Sequence, residues 1–415
     1  MSKRIGGIFY GWVIVAACFF AVMANAILLS FGVFYKPLIT QFGWRAADVA
    51  LAPSILSVVY LVMVLPVSWV YQKVSIKVVV LVGGILMGLG LALSSTITSL
   101  WQLYLFYGII AGVGSSTIWV PFTSAIMNWF DHKRGIAMGI ALSGYGLGSL
   151  VAAPSLSYII ETGGWRMAFL FSGVATFLIL FSASLVAKTS PKEIGLKPYR
   201  SIQEMGHESF DESVASGNSS FHKAIRTKPF WLLYCLWISS QIVTSLYTQH
   251  IVLFALGLGI SFILGSLGLG IIGLSSIIGR FVVGFFLDRV GIRRALLFCY
   301  LVTLLSALLL LVTRDALWLF LFATLFGFSF GGRSVLEVPI TSAFFGLTHL
   351  AIIVGALETA FGVGGMIGPY LGGYAYDVTG GYSQVFLFCT LLAILSVAIV
   401  VFLKPSETSG IWTNG

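Results

Sequence analysis

Phe262–Leu287 reads FILGSLGLGIIGLSSIIGRFVVGFFL, 26 residues in which Arg280 is the one charged side chain. The length points to a membrane span, because a helix needs about 20 apolar residues to cross the hydrocarbon core. The charge points to more than a span. A guanidinium at the bilayer centre costs roughly 2.5–3.5 kcal/mol on insertion scales. It is kept where it faces a bundle interior or a wet cavity and meets a partner there.

The same reading extends along the chain. Of 415 residues, 58% are hydrophobic and 9% charged, against about 25% charged in a soluble domain. Apolar stretches long enough to span occur at 10–35, 49–70, 78–98, 103–128, 135–159, 167–187, 230–256, 262–287, 295–313, 317–343, 350–375 and 383–403, numbered here as spans 1 to 12. The net charge of +9 raises the question of a nucleic-acid partner. Its placement answers it. With the N-terminus inside, the 23 Lys and Arg all fall on the inner side, apart from Lys36, Arg45, Arg166 and Arg314 outside and Arg280 and Arg333 within spans. The positive-inside rule then places both termini in the cytoplasm and makes the basic balance a matter of topology. Cys18, Cys235, Cys299 and Cys389 lie in apolar spans without CxxC spacing, so neither a disulfide framework nor a metal site is indicated.

The longest polar stretch, Lys188–Lys228, separates six spans from six. It divides the chain into bundles 1–187 and 229–415 joined by a linker, 188–228. The halves repeat at an offset of about 217: Val120-Pro121-Phe122-Thr123-Ser124-Ala125 matches Val338-Pro339-Ile340-Thr341-Ser342-Ala343, and Thr162-Gly163-Gly164 matches Thr379-Gly380-Gly381. Gly144-Tyr145-Gly146-Leu147-Gly148 in span 5 matches Ala360-Phe361-Gly362-Val363-Gly364 in span 11. Parallel repeats of this kind belong to carriers whose substrate site lies near the membrane midplane. The glycines of span 11 suit either tight helix packing or a seam that moves.

Between spans 8 and 9 stands Gly284-Phe285-Phe286-Leu287-Asp288-Arg289-Val290-Gly291-Ile292-Arg293-Arg294. It resembles the G-x-x-x-D-R-x-G signature loop of the major facilitator superfamily, with Ile292 in place of the first residue of the basic run. The N-half equivalent is degenerate, with Tyr71 and Gln72 in place of Asp and Arg. Trp129-Phe130 followed by Arg134-Gly135, Ala137 and Gly139 resembles a pattern of the monocarboxylate transporter and oxalate–formate antiporter branch, as does Tyr10-Gly11-Trp12. That branch carries an arginine in span 8, which Arg280 matches. The resemblance implies a twelve-helix, all-α membrane protein of two six-helix bundles that moves a small organic anion. There are departures. Ser276 stands where proton-coupled animal members have aspartate, span 1 holds no lysine, and span 11 has Glu358 where oxalate antiporters have lysine. One cavity cation suits a monocarboxylate such as lactate or pyruvate better than oxalate.

The spans of the first half, as drawn, hold no Asp, Glu, Lys, Arg or His, whereas the second half holds His250, Arg280, Arg333, Glu337 and Glu358. At ~1.5 Å rise per residue, Arg280 and Glu358 both lie roughly 12 Å inside their helix ends, with Glu337 at similar depth and Arg333 a turn deeper. The four are expected in one layer. Arg280 is the candidate for the substrate carboxylate, with a pair to Glu358 as the structural alternative. Protonation of Glu358 would release Arg280 for the anion. Arg333 and Glu337, four residues apart, are expected to pair along one helix face. His250 is a candidate for proton linkage or an outer gate, or else an interfacial polar residue. Trp119, Tyr145 and Phe361 are candidates for the aromatic wall of the site. Asp288, Arg289, Arg293 and Arg333 are candidates for gating.

The sequence thus leads to a proton-linked secondary carrier in the inner cell membrane, monomeric, surrounded by lipid and free of cofactors. An exchanger without net proton movement and a transporter-like sensor remain alternatives. No Gly-x-x-x-x-Gly-Lys-Ser/Thr motif points to a nucleotide-driven pump. No nucleophile–base set or paired carboxylate layout points to an enzyme.

Overall fold

The computed structural model describes residues 4–5, 8–130, 133–196, 224–346 and 350–403. The middle of the expected linker, residues 197–223, and the side chain of Asp288 lie outside the described residues. Among the described residues the membrane-length helices are Gly11–Phe42, Ala46–Lys73, Ile76–Thr96, Leu100–Trp129, Arg134–Val186, Lys228–Gly257, Phe262–Leu287, Ile292–Leu311, Ala316–Phe345, Ile352–Thr379 and Ser383–Phe402. The 53-residue stretch Arg134–Val186 is two spans, because Gly164 (φ 82°, ψ 164°) leaves the helical region inside it. Gly380, in the matching Thr-Gly-Gly of the second half, also takes a positive φ of 69°. Without a β-carbon, glycine turns the chain there at little cost. Twelve spans result, as the apolar stretches predict. The exception to an all-helical chain is a two-residue antiparallel strand pair, Arg4–Ile5 with Ile8–Phe9.

The helices outrun the apolar stretches that announce them. Span 1 continues through a 3₁₀ turn, Ser30–Phe34, into Tyr35–Phe42, so Lys36 rides on helix rather than at its end. Span 2 starts at Ala46, which puts Asp48 in its first turn. A carboxylate is favoured there by the partial positive charge of the helix N-terminus.

The chain forms two compact units: residues 1–44 with 51–210, and 45–50 with 211–415. The first unit packs by close backbone approach. Gly144 and Gly148 leave no room for a β-carbon against the backbone carbonyls of Phe19 and Met23, so span 5 lies directly on span 1. Aromatic rings fill its centre, with Phe34 stacked on Phe169 at 3.8 Å between centroids. Trp129 is buried and donates its Nε1–H to the Lys188 carbonyl at 3.0 Å. The hydroxyl of Tyr10 donates to the Val186 carbonyl at 2.8 Å. The Trp129-Phe130 and Tyr10-Gly11-Trp12 motifs therefore fasten helix ends within this unit.

The second unit uses the same device. Gly279 meets the Phe328 carbonyl, Gly327 that of Ile272 and Gly331 that of Ser276, which sets spans 8 and 10 in backbone contact. The glycines of span 11 face span 7 of their own unit: a β-carbon on Gly364 would lie 2.9 Å from the Ile238 carbonyl oxygen, and one on Gly368 2.6 Å from that of Ile242. In this structure those glycines are tightly packed, which both readings allow. A core of Phe230, Leu236, Trp237, Leu296, Tyr300, Leu336 and Leu357 fills the unit. Outward, Leu65, Trp69, Phe285, Leu317 and Phe402 are exposed, as lipid-facing side chains are.

Residues Arg45–Ala50 open span 2 yet group with the second unit. The reason is Asp377. One carboxylate oxygen accepts the Ala46 N–H at 2.8 Å and the other the Ala47 N–H at 2.7 Å, while Arg45 pairs with it at 3.7 Å. Gly373 makes room, since a β-carbon there would lie 2.7 Å from the Ala46 carbonyl oxygen. A carboxylate on two orphan N–H groups of a helix start is a charge-assisted cap.

Candidate functional site

Arg280 reaches span 10 because the glycine before it lets the two helices touch. Its Nε–H donates to the hydroxyl of Ser334 at 3.2 Å. That hydroxyl spends its own proton on the Gly331 carbonyl at 2.7 Å, which leaves its lone pairs for the guanidinium. Arg280 is half-buried.

Arg333, one residue before Ser334, turns the other way. It is buried. One terminal nitrogen donates to the Ser240 hydroxyl, and the other to the Thr244 hydroxyl at 3.5 Å. Its guanidinium lies 5.3 Å from the centroid of the Tyr300 ring. Thr244 directs its own proton to the Ser240 carbonyl at 2.8 Å, so its oxygen serves as acceptor. The Nε of Arg333 is buried without a hydrogen-bond partner.

This overturns the expected pairing along span 10. Arg333 and Glu337 sit at the right spacing, but the guanidinium is drawn to hydroxyls on span 7 and the ring on span 9. Among the described residues the ion pair formed is Arg45–Asp377. The Glu337 carboxyl lies within reach of the charges of Glu358, Arg333 and Arg280. Glu337 is half-buried and Glu358 exposed. Beside Glu358, the hydroxyls of Thr359 and Tyr234 bond at 3.1 Å. Phe361 stacks on Trp237, with 6.3 Å between centroids and 21° between planes.

His250 is enclosed by the protein. It is fully buried, with Nδ1 3.0 Å from the Tyr382 hydroxyl and Nε2 2.8 Å from the Pro369 carbonyl. A carbonyl only accepts, so Nε2 carries a proton and the neutral ring takes the Tyr382 proton on Nδ1. The ring fills the space that a β-carbon on Gly372 would need. In this arrangement His250 ties span 7 to span 11.

Of the gating candidates, Arg289 lies over the Phe285 ring at 5.5 Å, and Arg293 donates to the Val401 carbonyl at 2.8 Å, joining the start of span 9 to the end of span 12. Arg333, also a gating candidate, lies in the buried cluster described above.

In the first unit, Trp119 is half-buried and opens the helix Trp119–Trp129, directly after a turn at Thr117-Ile118 that interrupts span 4. Upstream, Tyr104–Ala111 is a π-helix, a form often found at functional sites. The Tyr145 hydroxyl accepts the Asn25 amide at 3.3 Å, and the Asn25 amide oxygen is buried without a hydrogen-bond partner.

Sequence reasoning missed Ser240, Thr244, Ser334 and Tyr300. A signal for the first two was present: hydroxyls recur at residues 240, 244 and 248, the spacing of one helix face.

Comparison with known proteins gives the same picture. Monocarboxylate transporter 12 of Mus musculus is 25% identical, covering 98% of this chain and 91% of its own. The Homo sapiens protein of that name is 26% identical over 95% of this chain and 80% of its own. Monocarboxylate transporter 13 of Rattus norvegicus is 26% identical over 95% and 89%. In fold the chain is similar to the crystal structure of a bacterial homolog of the human lysosomal transporter Spinster, with a TM-score of 0.67 at 17% identity, 95% of each chain being covered. The sequence model of the Major Facilitator Superfamily matches residues 13–334 and 273–414. This multi-pass membrane protein belongs to the Major Facilitator Superfamily, a family of transporters rather than enzymes.

Proposed function

We propose that this protein is a secondary active carrier that moves a small monocarboxylate, of the lactate or pyruvate kind, together with a proton by alternating access. The observation that carries the reading is Arg280. A charge in an otherwise apolar span is costly and is functional by default. Its Nε–H is held by Ser334, which sets the plane of the guanidinium. That planar fork matches a carboxylate in a charge-assisted pair. The names of the relatives support the substrate class. Trp119, Tyr145 and Phe361 would hold the short carbon chain through apolar contact, and Arg289 and Arg293, with Asp288, would secure the closed state.

Glu337 and Glu358 are the proton carriers in this reading. Among the described residues neither carboxyl has an ion-pair partner, and the two lie within electrostatic reach of Arg280 or of each other. His250, with both ring nitrogens bonded, supports the frame around them. The carrier would act as a monomer in the inner cell membrane with both termini cytoplasmic, as the placement of Lys and Arg favours.

The reading is tested by uptake of labelled L-lactate and pyruvate into proteoliposomes with and without an inward proton gradient. Gradient-driven uptake is expected. Counterflow of oxalate or formate without gradient response would replace it with an exchanger, and binding without flux with a sensor.

A further inference from the structure

Arg333 and Glu337 are one helical turn apart, the spacing at which opposite charges pair. Away from bulk water the attraction between opposite charges grows, because the dielectric is lower. Yet the pair is not formed. The Arg333 guanidinium is held by the Ser240 and Thr244 hydroxyls on span 7 and lies over the face of Tyr300 on span 9. Three helices of one unit thus cooperate to keep a cation off the carboxylate next to it. Two neutral hydroxyls and a ring are weaker partners for a guanidinium than a carboxylate. The arrangement therefore gives up stabilisation, and a role for the unpaired Glu337 is the return.

We propose that Ser240 and Thr244 are positioning residues for proton coupling: they restrain Arg333 so that Glu337 stays unpaired and exchanges its proton during the transport cycle. The proposal rests on the proton-linked reading given above. The charged and titratable groups around Glu337 are Arg333 on its own helix, Glu358 on span 11, Arg280 on span 8 and Tyr300 on span 9. Arg280 is engaged by Ser334. Glu358 is of like charge. Arg333 is thus the cation whose release would change Glu337 most, and the two hydroxyls are what restrain it. No substrate contact is assigned to Ser240 or Thr244; both act through Arg333.

The test uses the full chain, purified and reconstituted, and has two readouts. The first needs no substrate. The infrared C=O stretch of protonated carboxyls is followed against pH, and the component lost in Glu337→Gln is assigned to Glu337. In the double variant Ser240→Ala/Thr244→Val the freed Arg333 pairs with Glu337, and that component is expected to titrate at lower pH, by about one unit for a tenfold change in proton affinity. The second is L-lactate transport. The double variant is expected to lose gradient-driven uptake about tenfold or more and to shift its pH profile, with counterflow exchange changed less than about threefold. Ser240→Thr and Thr244→Ser keep the hydroxyls and are expected to restore both readouts, which separates loss of restraint from loss of fold. A Glu337 component at the wild-type pH in the double variant overturns the proposal, whatever the substrate proves to be. If wild type carries no lactate, the monocarboxylate reading fails while the infrared titration still decides this one.

Discussion

The Nε–H of Arg280 donates to the hydroxyl of Ser334 at 3.2 Å, so the cation of span 8 is oriented by span 10. Span 10 offers that hydroxyl because Gly331 lies against the Ser276 backbone and lets the helices touch. The next residue along, Arg333, points to span 7. Two arginines thus meet adjacent residues of one helix with separate partners. Arg280 is half-buried and Arg333 is buried.

Removal of the orienting hydroxyl tests this relationship. Ser334→Ala is expected to keep the carrier folded and to raise half-saturation for the monocarboxylate by roughly 3- to 10-fold, the size of one hydrogen bond of about 0.5–1.5 kcal/mol. Concentration-dependent uptake in proteoliposomes measures it. An unchanged half-saturation would show that Arg280 needs no help from span 10.

Glu358→Gln keeps the shape of the side chain and removes its proton chemistry. Gradient-driven uptake is expected to be lost while substrate binding persists. Parallel measurements of proton-driven uptake and of equilibrium binding on the same preparation check it. Full coupling in the variant would leave Glu337 as the sole carrier among the two.

Asp377 caps span 2 with two hydrogen bonds, of 2.8 and 2.7 Å. Loss of a helix cap costs about 0.5–2 kcal/mol. Asp377→Ala is expected to lower the melting temperature of the purified protein, and Asp377→Asn, which keeps one acceptor, to lower it less. Equal melting of all three would mean that the cap contributes nothing.

Gly331 sets the contact of spans 8 and 10 and admits no β-carbon against Ser276. Overpacking of this kind costs about 1–3 kcal/mol. Gly331→Val is expected to destabilise the protein and to weaken substrate binding, because Ser334 and Arg280 move apart. Gly355, with open space where a β-carbon would go, is the control: Gly355→Ala is expected to change melting little.

The sequence made the spans legible because membrane insertion depends on composition, and composition is local. Arg280 was legible too, since its isolation in Phe262–Leu287 is visible without a structure, whereas the turns at Gly164 and Gly380 were not read from their Thr-Gly-Gly repeats. What stayed hidden depends on partners far away in the chain. Spacing of four residues suggested that Arg333 pairs with Glu337, but Ser240 is 93 residues from Arg333 in sequence and competes for it. Asp377 is 331 residues from Ala46, and nothing in either segment alone announces the cap. The partners of His250, Pro369 and Tyr382, lie more than 100 residues away and were not visible from its own span. The π-helix of span 4 left no trace in its apolar pattern.

The most direct test of the account is L-lactate binding and uptake by wild type, Arg280→Lys and Arg280→Ala in the same membranes. A charge-assisted hydrogen bond is worth about 1.5–3 kcal/mol, roughly 10- to 150-fold in affinity. Arg280→Ala is therefore expected to lose lactate binding by at least about tenfold, with uptake abolished, and Arg280→Lys to fall between, since lysine keeps the charge but not the planar fork. Wild-type affinity and uptake in Arg280→Ala would contradict the assignment of the carboxylate to Arg280.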